Sequence, residues 1–152
     1  MLKIFILSLI VCCPKHALNK DAELLDQVVS NFEAAGEKYN LEPSLLAYQA
    51  YKESSFQPRA EGSLGEKGFA QAHGLARKTC EAADLDVETI EGGIHCLALL
   101  LDMGRRRCGS LLGALNFYAS GKCRSTVTTR AKMEGRLRAW RKRWEALSDE
   151  QN

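Results

Sequence analysis

Residues 53–71 read Glu53-Ser-Ser-Phe-Gln-Pro-Arg-Ala-Glu-Gly-Ser-Leu-Gly-Glu-Lys-Gly-Phe-Ala-Gln71. This stretch holds three glycines and a proline, and a further glycine follows at position 74. Such a composition sustains neither a helix nor a regular strand, so we predict a structured loop from Gln57 to Gly74. Loops of this length in compact domains are often functional. The carboxylate of Glu53, which directly precedes the loop, is therefore a candidate for chemistry.

Helical patterns lie on both sides of this loop. Apolar residues recur at three- and four-residue spacing from Asp21 to Tyr39, and Pro43 begins a second helix that ends near Glu53. Three later segments share the pattern: 84–103, 110–118 and 130–147. Neither an alternating strand pattern nor an internal repeat rises above background. The sequence therefore predicts a mainly α fold.

The composition is that of one globular domain. The chain has 152 residues, of which 45% are hydrophobic and 26% are charged, enough for one compact core. The even spread of apolar residues argues against disorder. The formal net charge of +2 is too small to require a nucleic acid partner, and we expect none.

The N-terminus has the composition of an export signal. Lys3 precedes a mostly apolar run from Ile4 to Val11, which is shorter than the roughly 20 residues of a membrane span and within the range of a secretory signal. We predict a signal peptide over residues 1–17, a mature domain over 18–152, and a periplasmic or secreted protein. Two alternatives fit less well. One is a buried N-terminal strand. The other is a lipid anchor at Cys12 or Cys13, because a lipidated cysteine normally follows a small residue and Val11 and Cys12 fit that poorly.

Six cysteines in a short exported chain favour disulfide bonds. Four lie in the predicted mature domain, where three pairings are possible. We favour Cys108 with Cys123, which would clamp the short helix at 110–118, and Cys80 with Cys96. Paired metal-ligand spacings such as CxxC or HxxxH are lacking, so we predict no metal site.

Three ordered segments resemble one family. Residues 53–71 are similar to a pattern of E-S-x-F, then Pro and Ala, then G-x-x-G-[aromatic or Leu]-x-Q. Residues 88–100 are similar to a helix that opens N-I-x-x-G, and residues 114–121 to the pattern A-x-x-x-Y-N-A-G. These are the patterns of the soluble lytic transglycosylases (SLT domains), and the resemblance extends from Leu24 to Arg124. It implies a single lysozyme-like domain whose Gly-rich loop belongs to the active site.

The chain departs from the family pattern at several positions. Gly62 stands where the family usually has Ser, with Ser63 beside it. Thr89 replaces an Asn, Ala119 replaces the Asn after the family's Tyr, and Cys96 replaces a Tyr. The sequence is therefore identified as a divergent member.

The resemblance implies a mechanism with one carboxylate and no cofactor. Its substrate is the glycan strand of peptidoglycan, cut at the β-1,4 bond from N-acetylmuramic acid to N-acetylglucosamine. Glu53 would protonate the glycosidic oxygen and then take the proton of the muramic acid 6-hydroxyl, which closes a 1,6-anhydro ring. The substrate's acetamido group would take the place of a second carboxylate. Tyr51 and Phe56, close in sequence, would partly desolvate Glu53.

The resemblance also implies a set of substrate-contacting residues: Ser54, Ser63, Gly68, Phe69, Gln71 and Tyr118. Gln71 would bind near the reacting sugar, Tyr118 would meet the acetamido group or orient Glu53, and Gly68 and Phe69 would line the groove. Purely structural roles stay open for Gln71, Tyr118 and the serines. Glu61 and Glu66 could supply a hydrolytic second carboxylate, although solvated loop charges are the more usual interpretation.

Two alternatives to a transglycosylase stay open. A lysozyme-type hydrolase would use the same Glu53 with water, and a cell-wall-binding assembly protein would keep the fold without activity. We expect a monomer, alone or within a secretion, conjugation or phage assembly. The last predicted helix, residues 130–147, is rich in Lys and Arg. It is either a solvated face or is attracted to an anionic cell wall or membrane surface.

Overall fold

The mainly α prediction is confirmed by the computed structural model, which describes residues 1–149 and is 68% helical. The described part contains no strand, only isolated β-bridges. Its helices are α1 (Leu2–Leu9), α2 (Ala22–Tyr39), α3 (Pro43–Ser54), α4 (Gly74–Glu81), α5 (Ile90–Cys108), α6 (Leu111–Ser120) and α7 (Val127–Asp149).

The chain forms two compact units, and the boundary between them falls inside α5. The first unit is Met1–Ala98, and the second begins at Leu99. Each unit has its own buried residues. Those of the first unit include Phe32, Leu46, Phe69 and Ile94, and those of the second include Leu101, Leu115 and Met133.

Helices α2 and α3 follow from local signals in the sequence. The Asp21 side chain caps α2 by accepting a hydrogen bond from the Leu24 N–H at 2.9 Å, and Asn40 ends the helix in a left-handed conformation. Pro43 begins α3 at a position where its missing N–H costs nothing. Both helices were predicted, and their ends agree with the structure to within one residue.

The prediction is wrong between residues 74 and 90. Helix α4 was missed, because it begins at a glycine and buries only Cys80, which leaves no apolar periodicity to detect. The helix predicted from residue 84 begins only at Ile90. Asp84 has a left-handed backbone, and the Thr89 hydroxyl accepts from the Gly92 N–H at 3.0 Å, as a helix N-cap does.

The N-terminal segment is helical and packs on the first unit. Helix α1 contacts α2 and α3 and buries Phe5, Ile6 and Leu9, so the alternative of a buried strand is wrong. The Asn19 amide then donates to backbone carbonyls of residues 10 and 13. Within residues 1–149, every helix falls short of the length and apolarity that crossing a membrane requires. Cleavage near Ala17 stays a prediction.

Both favoured disulfides are present. Cys80 of α4 is bonded to Cys96 of α5 within the first unit. Cys108, at the end of α5, is bonded to Cys123, just beyond α6, within the second unit. Each bond closes a short loop, which limits the freedom of the unfolded chain.

Candidate active site

Glu53 is the penultimate residue of α3 and is half-buried. Its Oε1 accepts a hydrogen bond of 2.8 Å from Nε2 of Gln49, one helical turn earlier. Gln49 is only 1% exposed, so the core fixes the position of the donor. Gln49 was not among the residues predicted from the sequence. The signal that could have found it is the four-residue spacing, which places two helical side chains on one face.

The chain turns sharply after Glu53. Ser55 and Phe56 have φ angles of 51° and 59°, in the left-handed region that non-glycine residues rarely adopt. Phe56 is 2% exposed, and its ring lies 5.8 Å from that of Tyr51 and 6.2 Å from that of Phe32. Burial of Phe56 offsets the cost of the turn, about 1–2 kcal/mol per residue. Tyr51 and Phe56 are therefore in contact with each other, and the partial desolvation of Glu53 by these rings stays a prediction.

In the chain before any cleavage near Ala17, a second group holds this turn from outside. Nε2 of His16 donates to the Ser55 carbonyl oxygen at 2.7 Å, while Nδ1 accepts from the Leu18 N–H at 3.2 Å. One ring nitrogen thus donates and the other accepts, which is the pattern of a neutral imidazole. The His16 ring also meets Phe56 edge-on. The sequence offered no signal for this contact.

The loop after the turn is structured, as predicted. Bridges join Glu61 to Lys67 and Lys67 to Ala72, both antiparallel. The Gly68 N–H donates to the Ala60 carbonyl at 2.9 Å, and the Lys67 ammonium lies 3.0 Å from the Glu61 carboxylate. The segment is a folded-back ribbon too short to form regular strands.

The carboxylate of Glu66 explains the glycine at position 62. Its Oε2 accepts from the Leu64 N–H at 2.9 Å, and backbone N–H groups of Glu66 itself and of Leu64 lower the pKa of Glu66. A Cβ at Gly62 would overlap Oε2 of Glu66. A serine there, as in the resembled family, would have to displace this carboxylate. The departure at Gly62 is therefore coupled to Glu66.

Gln71 braces the loop from within. Its Nε2 donates to the carbonyl oxygens of Ala60, at 3.1 Å, and Gly68, at 2.9 Å. Both amide hydrogens are therefore used by the protein's own backbone, which is the structural role that the sequence left open. A substrate contact by Gln71 stays a prediction, and it would fall to Oε1.

Two residues expected to line the groove, Gly68 and Phe69, are both buried. Gly68 is buried with φ of 68°, and a Cβ there would overlap the carbonyl oxygen of Val87. The close approach that requires glycine is thus to the protein's own backbone. Phe69 is 0% exposed and packs edge-on against Phe32 at 6.3 Å. Its ring belongs to the core, and a contact of Phe69 with substrate stays a prediction.

The remaining predicted contacts differ in their surroundings. Ser54 is buried, and its hydroxyl donates to the Ala50 carbonyl at 3.0 Å, a bond within the helix. Ser63 is exposed at the loop turn. Tyr118 lies on α6 in the second unit and is half-buried. Substrate binding by these three residues stays a prediction.

A cavity of about 440 Å³ lies in the first unit. Its wall is formed by residues 15–18, by Leu24 and Val28 of α2, and by residues 56–59 with Phe69. Glu53 is not part of this wall. The cavity therefore does not include the candidate catalytic carboxylate.

Comparison with known proteins gives one finding. A family model, the transglycosylase SLT domain, matches residues 30–139. Neither the curated proteins nor the solved structures contain a significant match. The matched range includes all the predicted site residues and extends over parts of both compact units. The predicted single lysozyme-like domain is therefore confirmed.

Proposed function

This chain belongs to the transglycosylase SLT domain family, whose members act on peptidoglycan, and from that premise we propose that it is an exported lytic transglycosylase. Its reaction would cleave the β-1,4 bond between N-acetylmuramic acid and N-acetylglucosamine. The product would carry a 1,6-anhydro ring on muramic acid. The observation that carries the proposal is Glu53, held at the end of α3 by the buried Gln49 and followed by the braced loop.

The first step needs a protonated carboxyl group at the glycosidic oxygen. The hydrogen bond from Gln49 to Oε1 of Glu53 holds the carboxyl group that would carry this proton. Donation of this proton lets the bond between C1 of muramic acid and the glycosidic oxygen break, and the N-acetylglucosamine end leaves with the proton. The acetamido oxygen of the muramic acid stabilises the positive charge that develops at C1.

The second step runs through the same side chain. The Glu53 carboxylate takes the proton of the muramic acid 6-hydroxyl, and O6 attacks C1 to close the anhydro ring. The carboxyl group is thereby returned to its protonated form, and water is not consumed. Gln49 keeps the carboxyl group in place through both proton transfers, since its amide can donate to either protonation state.

The environment of the other loop carboxylates favours this route over hydrolysis. An inverting hydrolase needs a second carboxylate, set apart from the acid, to activate water. Glu61 is paired with Lys67, and Glu66 is bound by backbone N–H groups of its own turn. Both are thus engaged in holding the loop. This supports ring closure by the substrate's own hydroxyl.

Product analysis tests the proposal. The purified chain, with its disulfides intact, is incubated with peptidoglycan, and the soluble products are analysed by mass spectrometry. Anhydro-muropeptides are expected from the wild type and from Glu61→Gln, but not from Glu53→Gln. Reducing-end products that disappear in Glu53→Gln would indicate a lysozyme-type hydrolase instead. Equal products from all three proteins would overturn the role of Glu53.

Export is tested separately. Expression of the full chain in a bacterium, followed by fractionation and N-terminal sequencing, is expected to give a periplasmic or secreted product that begins near residue 18. A protein that stays in the cytoplasm with Met1 intact would overturn the proposed signal peptide.

A further inference from the structure

Charge is unevenly divided along the chain. Residues 1–98 contain nine Lys and Arg against fourteen Asp and Glu, a net charge of −5. Residues 99–152 contain twelve against five, a net charge of +7. Any attraction to an anionic partner must therefore come from the second unit. Nine of its twelve cations are arginines, whose planar guanidinium groups match carboxylates in a two-point geometry.

Most of these cations face solvent. Ten of the twelve are exposed: Arg106, Arg107, Lys122, Arg124, Arg130, Lys132, Arg138, Arg141, Lys142 and Arg143. We call these ten residues the basic surface.

Few of the unit's own acids neutralise the basic surface. Asp102 is 3% exposed and accepts from Arg105 and Arg106, at 2.9 Å and 2.8 Å. Glu134 pairs with Arg130 at 2.9 Å. Seven cations of the basic surface make neither an ion pair nor a cation–π contact within residues 1–149: Lys122, Arg124, Lys132, Arg138, Arg141, Lys142 and Arg143. Their charge is available to a partner.

Few large apolar side chains are strongly exposed beside the basic surface, where the two tryptophans of α7 are half-buried. Helix α7 turns Met133 and Leu137 into the unit, and both are buried. The strongly exposed large apolar residues of positions 99–149 are only Met103 and Val127. A helix that inserts at a membrane surface presents an apolar stripe opposite its charges. A hydrated anionic polymer fits this surface better than a lipid surface does.

We propose that the basic surface binds the carboxylate groups of peptidoglycan stem peptides and so holds the protein on its insoluble substrate. This inference rests on the proposed function, because it takes peptidoglycan as the substrate. Many weak and exchangeable ion contacts would keep the enzyme near the wall without fixing it at one bond. Such contacts are screened by salt, so binding should fall steeply as ionic strength rises.

Binding is measured by cosedimentation with isolated sacculi, using the full chain with Glu53→Gln so that the wall is not digested. In this background, Arg138→Gln/Arg141→Gln/Lys142→Gln removes three charges of α7 and keeps good helix-forming residues. The matched control, Lys20→Gln/Lys38→Gln/Lys78→Gln, removes three exposed charges of the first unit. We expect about tenfold weaker binding for the α7 variant, the control close to its parent, and loss of parental binding at about 1 M salt. Equal losses in both triple variants would overturn the proposal.

Two further arms distinguish the ligand. Glycan strands stripped of their stem peptides should bind at least tenfold more weakly than intact sacculi, and equal binding would contradict recognition of the peptide carboxylates. Vesicles containing one-third phosphatidylglycerol should bind more weakly than sacculi. Tighter binding to vesicles would assign the surface to a membrane instead.

The outcome is separable from that of the proposed function. With Glu53 intact, the α7 variant should release anhydro products from soluble glycan strands at the wild-type kcat. Salt-insensitive or charge-independent binding together with normal products would overturn only the basic surface. Normal binding without products from the wild type would overturn only the transglycosylase.

Discussion

Replacement of Gly68 by alanine tests whether the loop is locked against the protein's own backbone. Gly68 combines a left-handed φ of 68° with a site where a Cβ would overlap the Val87 carbonyl oxygen and lie 3.0 Å from its carbon. The carbonyl belongs to the main chain, so it cannot rotate away as a side chain would. Gly65 provides a matched control, because its φ is also positive, at 81°, and a Cβ there would meet no atom within 4 Å.

The two substitutions separate the backbone cost from the steric cost. Gly65→Ala should cost only the strain of a Cβ in the left-handed region, about 1 kcal/mol. Gly68→Ala adds an overlap that only a shift of the main chain relieves. Overpacking of a protein core costs about 1–3 kcal/mol, and we expect a further cost of that size here. With about 2–4 °C per kcal/mol for a chain of this size, the melting temperature should fall by about 2–4 °C for Gly65→Ala and by about 5–15 °C for Gly68→Ala.

Thermal unfolding followed by circular dichroism gives the melting temperature of both variants. The rate of product release from peptidoglycan reports how each substitution in the loop affects activity. Gly68→Ala should also slow product release, since the Gly68 carbonyl accepts one of the two hydrogen bonds by which Gln71 holds the loop. Equal melting temperatures for the two variants would refute the packing of the loop against Val87.

Three further substitutions probe other parts of the structure. Gln49→Leu roughly keeps the buried volume but removes the hydrogen bond to Glu53, which is worth about 1.5–3 kcal/mol for a charged acceptor. The kcat for anhydro product should therefore fall about tenfold to hundredfold. An unchanged kcat would exclude a positioning role for Gln49. Cys108→Ser/Cys123→Ser removes the disulfide between residues 15 positions apart in sequence, so the free energy of unfolding should fall by about 3 kcal/mol. A denaturant titration measures this change, and an unchanged midpoint would contradict the presence of the disulfide. Because the folded pKa of Glu66 lies below its ordinary value of 4.5, its stabilisation is present above pH 4.5 and is lost as the pH falls through the folded pKa. Glu66→Gln should therefore destabilise the protein at pH 7 and do so progressively less below pH 4.5, and a pH-independent difference in melting temperature would contradict this assignment.

The elements that the sequence predicted correctly are those with explicit local signals. Asp21 and Pro43 mark helix starts by chemistry that needs no tertiary context, and both signals agree with the structure. Helix α4 has no comparable signal, because it is held by the disulfide of Cys80 rather than by an apolar face. Its existence depends on a contact sixteen residues away in sequence. Single-sequence periodicity does not detect such a contact.

The candidate site likewise contains features that the sequence predicted and features that it did not. A motif identifies which residues belong together, but it does not tell which way each side chain points. Gln71 and Phe69 lie two positions apart in the motif. The amide of Gln71 nevertheless donates to loop carbonyls, whereas the ring of Phe69 packs in the core. The buried Gln49 lies outside the quoted motif altogether. Orientation and burial come from packing, which the order of residues specifies only through the whole fold.

The arrangement around Glu53 explains why the loop and the carboxylate should respond together. On one side, the carboxylate is bound to a buried amide in its own helix, and on the other the chain enters a left-handed turn at Ser55 and Phe56. The packing of the Phe56 ring into the core helps to hold that turn, together with the hydrogen bond from His16 to the Ser55 carbonyl. A change that loosens the core beneath Phe56 would relax the turn and let the end of α3 fray, since helix ends are held mainly by such contacts. The position of Glu53 therefore depends on the core beneath the turn, and stability and activity should fall together for substitutions there.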